Sequence, residues 1–600
     1  MNERQLRDLI EQVKNGALTR RRFLSTMMRL GIAGPMAAEM LAWSGVAVAQ
    51  SAAQVLPPYK PTRRGGGGAL RLLWWQAPTL LNPHFAVGQK DSDAASLFYE
   101  PLATWDPDAN LIPILAAEIP SVQNGGVSRD GTSVTWKLKR NVSWHDGKPL
   151  TADDVVFTWE YVADPATATV SSGVYKEVKR VEKVDTHTVR VVFTEAVPFW
   201  ARPFVARQGV ILPRHLFDAY RGAKSREAPW NLKPVGTGPY RFVDFRPGDI
   251  VRGEINRDYH EANRPYFDSV EMKGGGDAVS AARAVLQTAE FDYAWNVVVE
   301  DEILKRLEDG GKGRVIYAPS GRVEFMLCNF SDPWTEVDGE RSSAKSKHPI
   351  LSDAPVREAL SLLVDRSAIQ EHVYGRGGTA TRNFLNNPAR FRSPKIKWEF
   401  SVDRANQVLE SGGWKRGSDG IRAKDGKKLK FVFQTTISGP RQKNQQIIKQ
   451  ACQKAGIDLE LKTVVASVFF SSDVANPDTN TKFQADLQMY NIGSGPDPWY
   501  FMNQFTSAEI AAKDNKWQGR NISRWRSDEY DRIYLAAKDE LDPVKRTALF
   551  VRMNDMVIEN HVVIPLVSTP ESGAASNKLR ITLSGWESQL SLVKDWYREG

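Results

Sequence analysis

Cysteine is almost missing: Cys328 and Cys452 are the two thiols in 600 residues. So sparse a pair excludes a disulfide scaffold and any Cys-x-x-Cys redox or zinc centre, and two separate buried thiols are expected. Histidine is scarce too. His84, His145, His187, His215, His260, His348, His372 and His561 include no pair at the i, i+4 spacing of a helix-borne metal site. No Gly-x-Ser-x-Gly elbow occurs, since Gly493-Ser494-Gly495 lacks the five-residue spacing. Carboxylates are plentiful, but Asp153-Asp154 and Glu300-Asp301-Glu302 are sequence neighbours, which do not converge on one helix face. The chain thus carries no concentrated catalytic signature, and neither a metal nor a cofactor is expected.

Uninterrupted apolar runs are also lacking. The longest candidate, Thr26–Val48, is broken by Arg29, Pro35 and Glu39. Each charge at the centre of a spanning helix costs about 2.5–3.5 kcal/mol, which disfavours an uncleaved membrane anchor. What precedes the stretch is informative. Arg20 and Arg21 stand ahead of Phe23-Leu24, the pattern of a twin-arginine export signal, and Ala47-Val48-Ala49 is a small-x-small cleavage site. Residues 1–49 therefore read as a removable bacterial leader handled by export machinery, and the mature protein as periplasmic. No cysteine near Ala49 offers a lipid anchor.

Basic blocks are missing as well. The net charge of +9 falls to +6 without residues 1–49, spread along the chain, which does not suit a nucleic-acid partner. About 550 mature residues exceed one hydrophobic core, so two or three domains are expected. Eighteen tryptophans suit cores and also clefts that stack on ligands.

Residues 50–68, with Pro57, Pro58, Pro61 and Gly65–Gly68, read as a flexible linker. The glycines are no phosphate loop, because neither Gly-Lys-Ser/Thr nor a helix start follows. Strands are expected over 69–75, 132–138 and 187–193, the last two from strict alternation of apolar residues. A capping box at Thr151–Asp154 opens a helix, and His145-Asp146-Gly147-Lys148 is read as a turn before it rather than as a catalytic pair. Val356, Ala359, Leu360, Leu363 and Val364 make one helical stripe behind the cap candidate Asp353. A further helix carries Ile447, Ile448, Ala451 and Ala455, is stopped by Gly456, and is followed by alternating Ile457, Leu459 and Leu461. Intermixed helices and strands argue for α/β domains with mixed sheets.

Several segments stand in a telling order. Asp130-Gly131-Thr132 and Trp136–Lys139 lead into Val142-Ser143-Trp144-His145-Asp146-Gly147-Lys148-Pro149-Leu150-Thr151-Ala152-Asp153-Asp154-Val155-Val156-Phe157. Ile211–Phe217, Pro234–Tyr240, Asn256 with Tyr259, Glu290–Asp292, Val356–Leu360, Asp365-Arg366 and Ile564–Leu566 follow. Over roughly residues 69–570 this resembles the family 5 extracellular solute-binding proteins, receptors of ABC importers for oligopeptides, dipeptides or nickel. His260 and Ala289 depart from the family pattern, where tryptophan and glycine are usual.

The resemblance implies a periplasmic-binding-protein-like fold with two lobes of mixed sheets joined by hinge strands, plus an inserted domain. Lobe I would comprise 69–102, 234–327 and 564–600, the insert 103–233, and lobe II 328–563. Gly236 and Gly238 are expected to make a tight turn, and Arg357 with Asp365-Arg366 to fix a lobe II helix. The partners implied are a small polar solute, a peptide first, and an inner-membrane permease and ATPase complex, with the receptor a monomer and not an enzyme. An oligosaccharide or opine-like solute is the alternative, and an extracytoplasmic enzyme on the same fold a more distant one. Where peptide receptors carry an aspartate for the α-ammonium, this sequence has Ser494, with Asp497 a possible substitute. The segments that line the cleft in relatives contribute Trp74, Asn82, His84, Trp295, Asn329, Phe384, Ser494, Asp497, Trp499 and Tyr500. His84 is expected to be exposed in a loop shaped by Asn82-Pro83-His84, and is not taken as a metal ligand.

Overall fold

The structure is a computed structural model and describes residues 3–29, 37, 40, 41, 59–86, 88–470, 476–515, 517 and 519–599. The cleavage-site residues Ala47 and Ala49 lie outside the described residues. Glu3–Lys14 and Arg20–Arg29, which carries Arg20, Arg21, Phe23 and Leu24, are helices. Leu6, Ile10 and Val13 of the first pack with Phe23 and Met27 of the second and with Val544. No helix among the described residues is long and apolar enough to cross a membrane.

Strands form where alternation places one face inward. Val134 and Trp136 on Ser133–Lys137 and Val189, Val191 and Phe193 on Thr188–Phe193 are buried. With Val178–Asp185 they form a three-stranded antiparallel sheet. The Thr151–Asp154 capping box opens the Ala152–Ala163 helix, with the Thr151 N–H donating to Asp154 Oδ2 at 2.9 Å. Asp353 does stand at the N-terminus of the Ala354–Leu362 helix, but it makes no side-chain cap. Its carboxylate accepts instead from Trp414 Nε1 and Lys424 Nζ, both at 3.0 Å.

One large mixed sheet runs through both lobes. Its order is Asp458–Val464, Lys430–Thr436, Leu487–Ser494, Gly313–Cys328, Val563–Ser576, Tyr293–Trp295, Ala69–Trp74, Ser269–Gly274, Ile250–Ile255 and Tyr240–Arg246, with Thr379–Ala380 paired to the fifth of these. The two central strands, Gly313–Cys328 and Val563–Ser576, are long and antiparallel, and they join the part of the sheet reached through Leu487–Ser494 to the part reached through Tyr293–Trp295. Gly313–Ala318 pairs with Glu571–Ser576, and Arg322–Leu327 with Val563–Thr569, with a shift in register between them. Beyond that shift the alternation of one strand feeds two cores: Val323, Phe325 and Leu327 on one side of the sheet, Met326 and Cys328 on the other. Cys328 and Cys452 are both buried and unbonded to each other, and burial pushes the Cys328 thiol up to about 12.

Buried polar groups clamp the connections. Arg366 is fully buried and donates to the Pro565 carbonyl at 2.8 Å and the Thr381 carbonyl at 3.1 Å, tying the end of the Ala354–Leu362 helix to a central strand. Gly236 and Gly238 are required by close approach rather than by a special turn conformation. A β-carbon on them would lie 1.8 Å and 2.6 Å from the Phe98 carbonyl oxygen. Residues 65–68 are not a flexible lead. The Gly66 and Gly68 N–H groups donate to the Asp268 carboxylate at 2.9 and 2.8 Å, and the Gly65 and Gly67 N–H groups to the carbonyls of Pro265 and Tyr266. Small residues were needed there because Tyr266 packs onto Gly67.

Candidate ligand cleft

Register fixes where the strand ends meet. Leu487–Ser494 runs antiparallel to Gly313–Cys328, with Ser494 opposite Gly321, so it ends at the register shift. Tyr293–Trp295 runs antiparallel to Val563–Ser576, with Trp295 opposite Gly573, and approaches the same shift from the other lobe. Ala69–Trp74 is parallel to Tyr293–Trp295, so Trp74 ends beside Trp295. The carboxyl ends of strands from both lobes thus converge where the two shared strands cross. That is the usual position of a binding crevice in α/β sheets.

A cavity of about 70 Å³ lies a few residues past the end of Leu487–Ser494, where Asp497, Trp499 and Tyr500 meet residues 177–202. Glu177, Glu195, Phe199 and Arg202 line one wall; Asp497, Trp499, Tyr500, Lys538 and Arg546 line the other. Lys538 Nζ bridges to Glu195 at 2.6 Å, and that carboxylate raises its pKa. Asp497 is not a free carboxylate. It pairs with Arg546 through both guanidinium Nη groups, and its Oδ1 accepts from the Trp499 N–H at 3.0 Å. Trp499 stacks on Tyr534 with ring centres 5.3 Å apart, and its buried indole N–H has no partner. Tyr500 is exposed, with the Arg520 guanidinium 4.2 Å from its ring centre.

The other expected residues divide by position. Trp74 and Trp295 stack at 6.2 Å with planes 9° apart, the former donating to Asp93 at 3.0 Å, the latter with a buried, unpartnered Nε1. Ser494 turns its hydroxyl onto the Gly495 carbonyl. Four residues are committed to packing. His84 is fully buried, not exposed: its ring nitrogens meet Ser171 Oγ at 2.7 Å and the Val210 carbonyl at 2.9 Å. Burial holds its pKa down, to about 4, so the ring is neutral. Asn82 accepts from the His84 N–H and donates to Asn231. Asn329 lies roughly 27 Å of strand beyond Gly321, at about 3.4 Å per residue. Its amide donates to Ser342 and to the Phe483 and Ala485 carbonyls. Phe384 packs among Phe325, Phe501 and Phe505.

Sequence reasoning missed Arg546, Lys538, Glu195 and Arg202, which sit in no motif and reach the cavity only through tertiary packing. It also missed the pairing that surrounds the crossing. Glu571 bonds Arg322 at 2.5 Å, and Glu324 bonds Arg441 at 2.8 Å. Among the described residues no group of three or more His, Cys, Asp or Glu is arranged to hold a metal.

The profile of the bacterial extracellular solute-binding proteins, family 5 (middle region), matches residues 110–513. The oligopeptide-binding protein AppA of Bacillus subtilis is 28% identical over 474 residues, covering 78% of this chain and 79% of AppA. Protein XP55 of Streptomyces lividans is 25% identical over 476 residues, covering 79% and 78%. The fold is similar to that of B. subtilis AppA solved with a nonapeptide, with a TM-score of 0.67 and 24% identity over 90% of this chain and all of that one. It is also similar to NikZ of Campylobacter jejuni solved with Ni(L-His), with a TM-score of 0.69 and 21% identity over 88% and 99%. Together with the mixed sheet that spans the chain, these matches place the protein among the bacterial extracellular solute-binding proteins of family 5.

Proposed function

We propose that this chain is the periplasmic receptor of an ABC importer, closing its lobes around a peptide or a similarly polar organic solute and presenting the closed form to a permease and ATPase complex. The observation that carries this reading is the convergence of strand ends at the register shift of the two central strands, with a cavity just past Ser494 walled by 177–202 on one side and 497–546 on the other. Peptide is favoured because AppA is named as an oligopeptide-binding protein and was solved with a nonapeptide. In this reading lobe I is 69–102, 234–327 and 564–600, the inserted domain 103–233 and lobe II 328–563. Residues 1–49 are a leader removed on export, and the receptor works as a monomer without catalysis. Trp499 and Tyr500 face the solute, Asp497 positions Trp499, and Trp74, Trp295 and Ser494 stand behind them at the strand ends. Binding shifts the population toward the closed state by its differential affinity for that state. A micromolar dissociation constant corresponds to about −8 kcal/mol.

The charge pattern narrows the solute. Each carboxylate lining the cavity already has a cation within 4 Å: Glu195 has Lys538, Glu177 has Arg202, and Asp497 has Arg546. A buried α-ammonium left without a carboxylate is costly. The site therefore suits peptides whose N-terminus is blocked or projects into solvent. The test is titration calorimetry with peptides of two to nine residues and their N-acetylated forms, alongside small-angle scattering. The reading expects a contracted particle on binding and acetylated peptides within about threefold of the free ones. Loss of binding on acetylation would overturn the N-terminal argument, and turnover of the peptide would overturn the receptor reading.

A further inference from the structure

Lobe II carries a second recess, far along the shared strand from the cleft. It is a cavity of about 290 Å³ lined by Arg366, Arg382, Lys397, Trp398, Arg404 and His561. We infer that this recess binds a small organic oxyanion, through carboxylate or phosphate groups, independently of the solute in the cleft.

Four cations there face two carboxylates, Glu358 and Glu399. One of these is already shared, since Glu399 lies 3.6 Å from Arg404. Glu559, nearby, is paired with Arg552. Neither Arg366 nor Arg382 has an acidic partner within bonding distance. Arg366 spends Nε and Nη1 on backbone carbonyls, while its buried Nη2 has no partner. Arg382 donates to the Lys397 carbonyl at 2.9 Å and to His561 Nε2 at 3.0 Å, and its buried Nε is also unpartnered. The recess thus holds two guanidinium groups with no carboxylate to neutralise them, and an oxyanion is the partner that matches that charge.

The histidine reports the same field. His561 accepts from Arg382, so its ring is neutral at that nitrogen. Burial, followed by the charges of Arg382, Arg357 and Arg366, holds its pKa down to about 3. The shape is suited to more than a bare ion. The volume approaches the lower bound of ligand pockets, and Trp398, with the Arg366 guanidinium 5.8 Å from its ring centre, gives a flat wall. Lys397, Glu399 and Arg404 form an exposed rim with Trp398 half-buried between them, whereas Arg366 is buried at the base. A carboxylate or phosphate would enter past Lys397 and Arg404 and stop at Arg366 and Arg382.

The test uses the full chain, with citrate and inorganic phosphate as separate probes. Sodium chloride is adjusted to hold ionic strength constant, because exposed lysine and arginine respond to any salt. Thermal shift and calorimetry should give a submillimolar dissociation constant for at least one probe, and the pair tells carboxylate from phosphate recognition. Arg382→Gln should weaken that binding at least tenfold. The rim double variant Lys397→Gln/Arg404→Gln, which alters exposed side chains alone, should weaken it three- to tenfold and guard against a folding defect in the first. In the wild type, NMR titration of His561 should show its pKa rising when the probe is bound. Peptide affinity in the cleft should be unchanged in both variants, which separates this site from the proposed receptor function. No stabilisation beyond chloride, or equal stabilisation in wild type and both variants, would overturn the proposal.

Discussion

Replacing Asp497 by asparagine removes the charge that Arg546 is built to meet. The pair is nearly enclosed, with side-chain exposures of 12% for Arg546 and 8% for Asp497. Breaking one partner of a buried pair costs about 3–5 kcal/mol, because an uncompensated charge stays behind. Since neither side chain is wholly enclosed, the lower end, about 3 kcal/mol, is the expectation here. The cap on the Trp499 N–H survives, because asparagine keeps a carbonyl oxygen there. Arg546→Met alone should cost a similar amount by stranding Asp497. The double variant Asp497→Asn/Arg546→Met should recover most of the loss, giving a coupling of about 2 kcal/mol or more. Urea midpoints of the four proteins measure stability, and calorimetry with a bound peptide measures affinity. The architectural role requires stability to fall while affinity changes less than about threefold in the double variant. Full stability of Asp497→Asn combined with a tenfold or larger loss of affinity for free-amino peptides would refute it and make Asp497 the ammonium anchor.

Other expectations follow from single positions. Ala289 has φ of 58°, a left-handed conformation that glycine adopts without strain, so Ala289→Gly should stabilise the protein by about 0.5–1 kcal/mol in urea titration. Gly236→Ala should cost more than about 3 kcal/mol or abolish soluble yield, because its β-carbon would meet the Phe98 carbonyl at 1.8 Å. Gly248→Ala, with φ of 80° but open space, should cost only about 1 kcal/mol in the same assay. Asp93 is wholly buried, and burial raises its pKa from 3.8 to about 7 against the opposing hydrogen bonds of Ser588, Trp74 and Gln589. Its folded form holds the proton longer than the unfolded chain, so stability should fall by up to about 1.4 kcal/mol per unit as pH rises from about 4 to about 7. Urea midpoints across that range should flatten in Asp93→Asn.

What could be read from the chain depended on how local each feature was. The 132–138 and 187–193 strands, the Thr151 cap and the Gly456 stop are set by neighbours within a few residues, and they stand where expected. The strand Gly313–Cys328 did not declare itself, because Pro319 and Gly321 interrupt its alternation where it crosses between lobes. The ordered residues 65–68 were misread because glycine signals flexibility and close packing alike. At the cleft, Asp497, Trp499 and Tyr500 were reachable through the family pattern. Their partner Arg546 lies 49 residues on, on the Pro543–Glu559 helix, with no motif to mark it. His84 went the other way: a polar residue in a loop whose partners, Ser171 and Val210, are distant in sequence.

The Ala69–Trp74 strand borders Tyr293–Trp295, which borders Val563–Ser576, and Arg598 donates to the carbonyls of Gly67 and Ala69. The first strand of the large sheet is thus sealed by residues that leave the ribosome about 500 positions after it. At roughly 5–20 residues per second, about 25–100 s separate the emergence of one from the other on the ribosome. Through that interval Leu70, Leu72 and Trp74 have no completed sheet to enter. A chaperone that holds nascent apolar segments would find its longest engagement there, and truncation before residue 576 should leave a product that it cannot release.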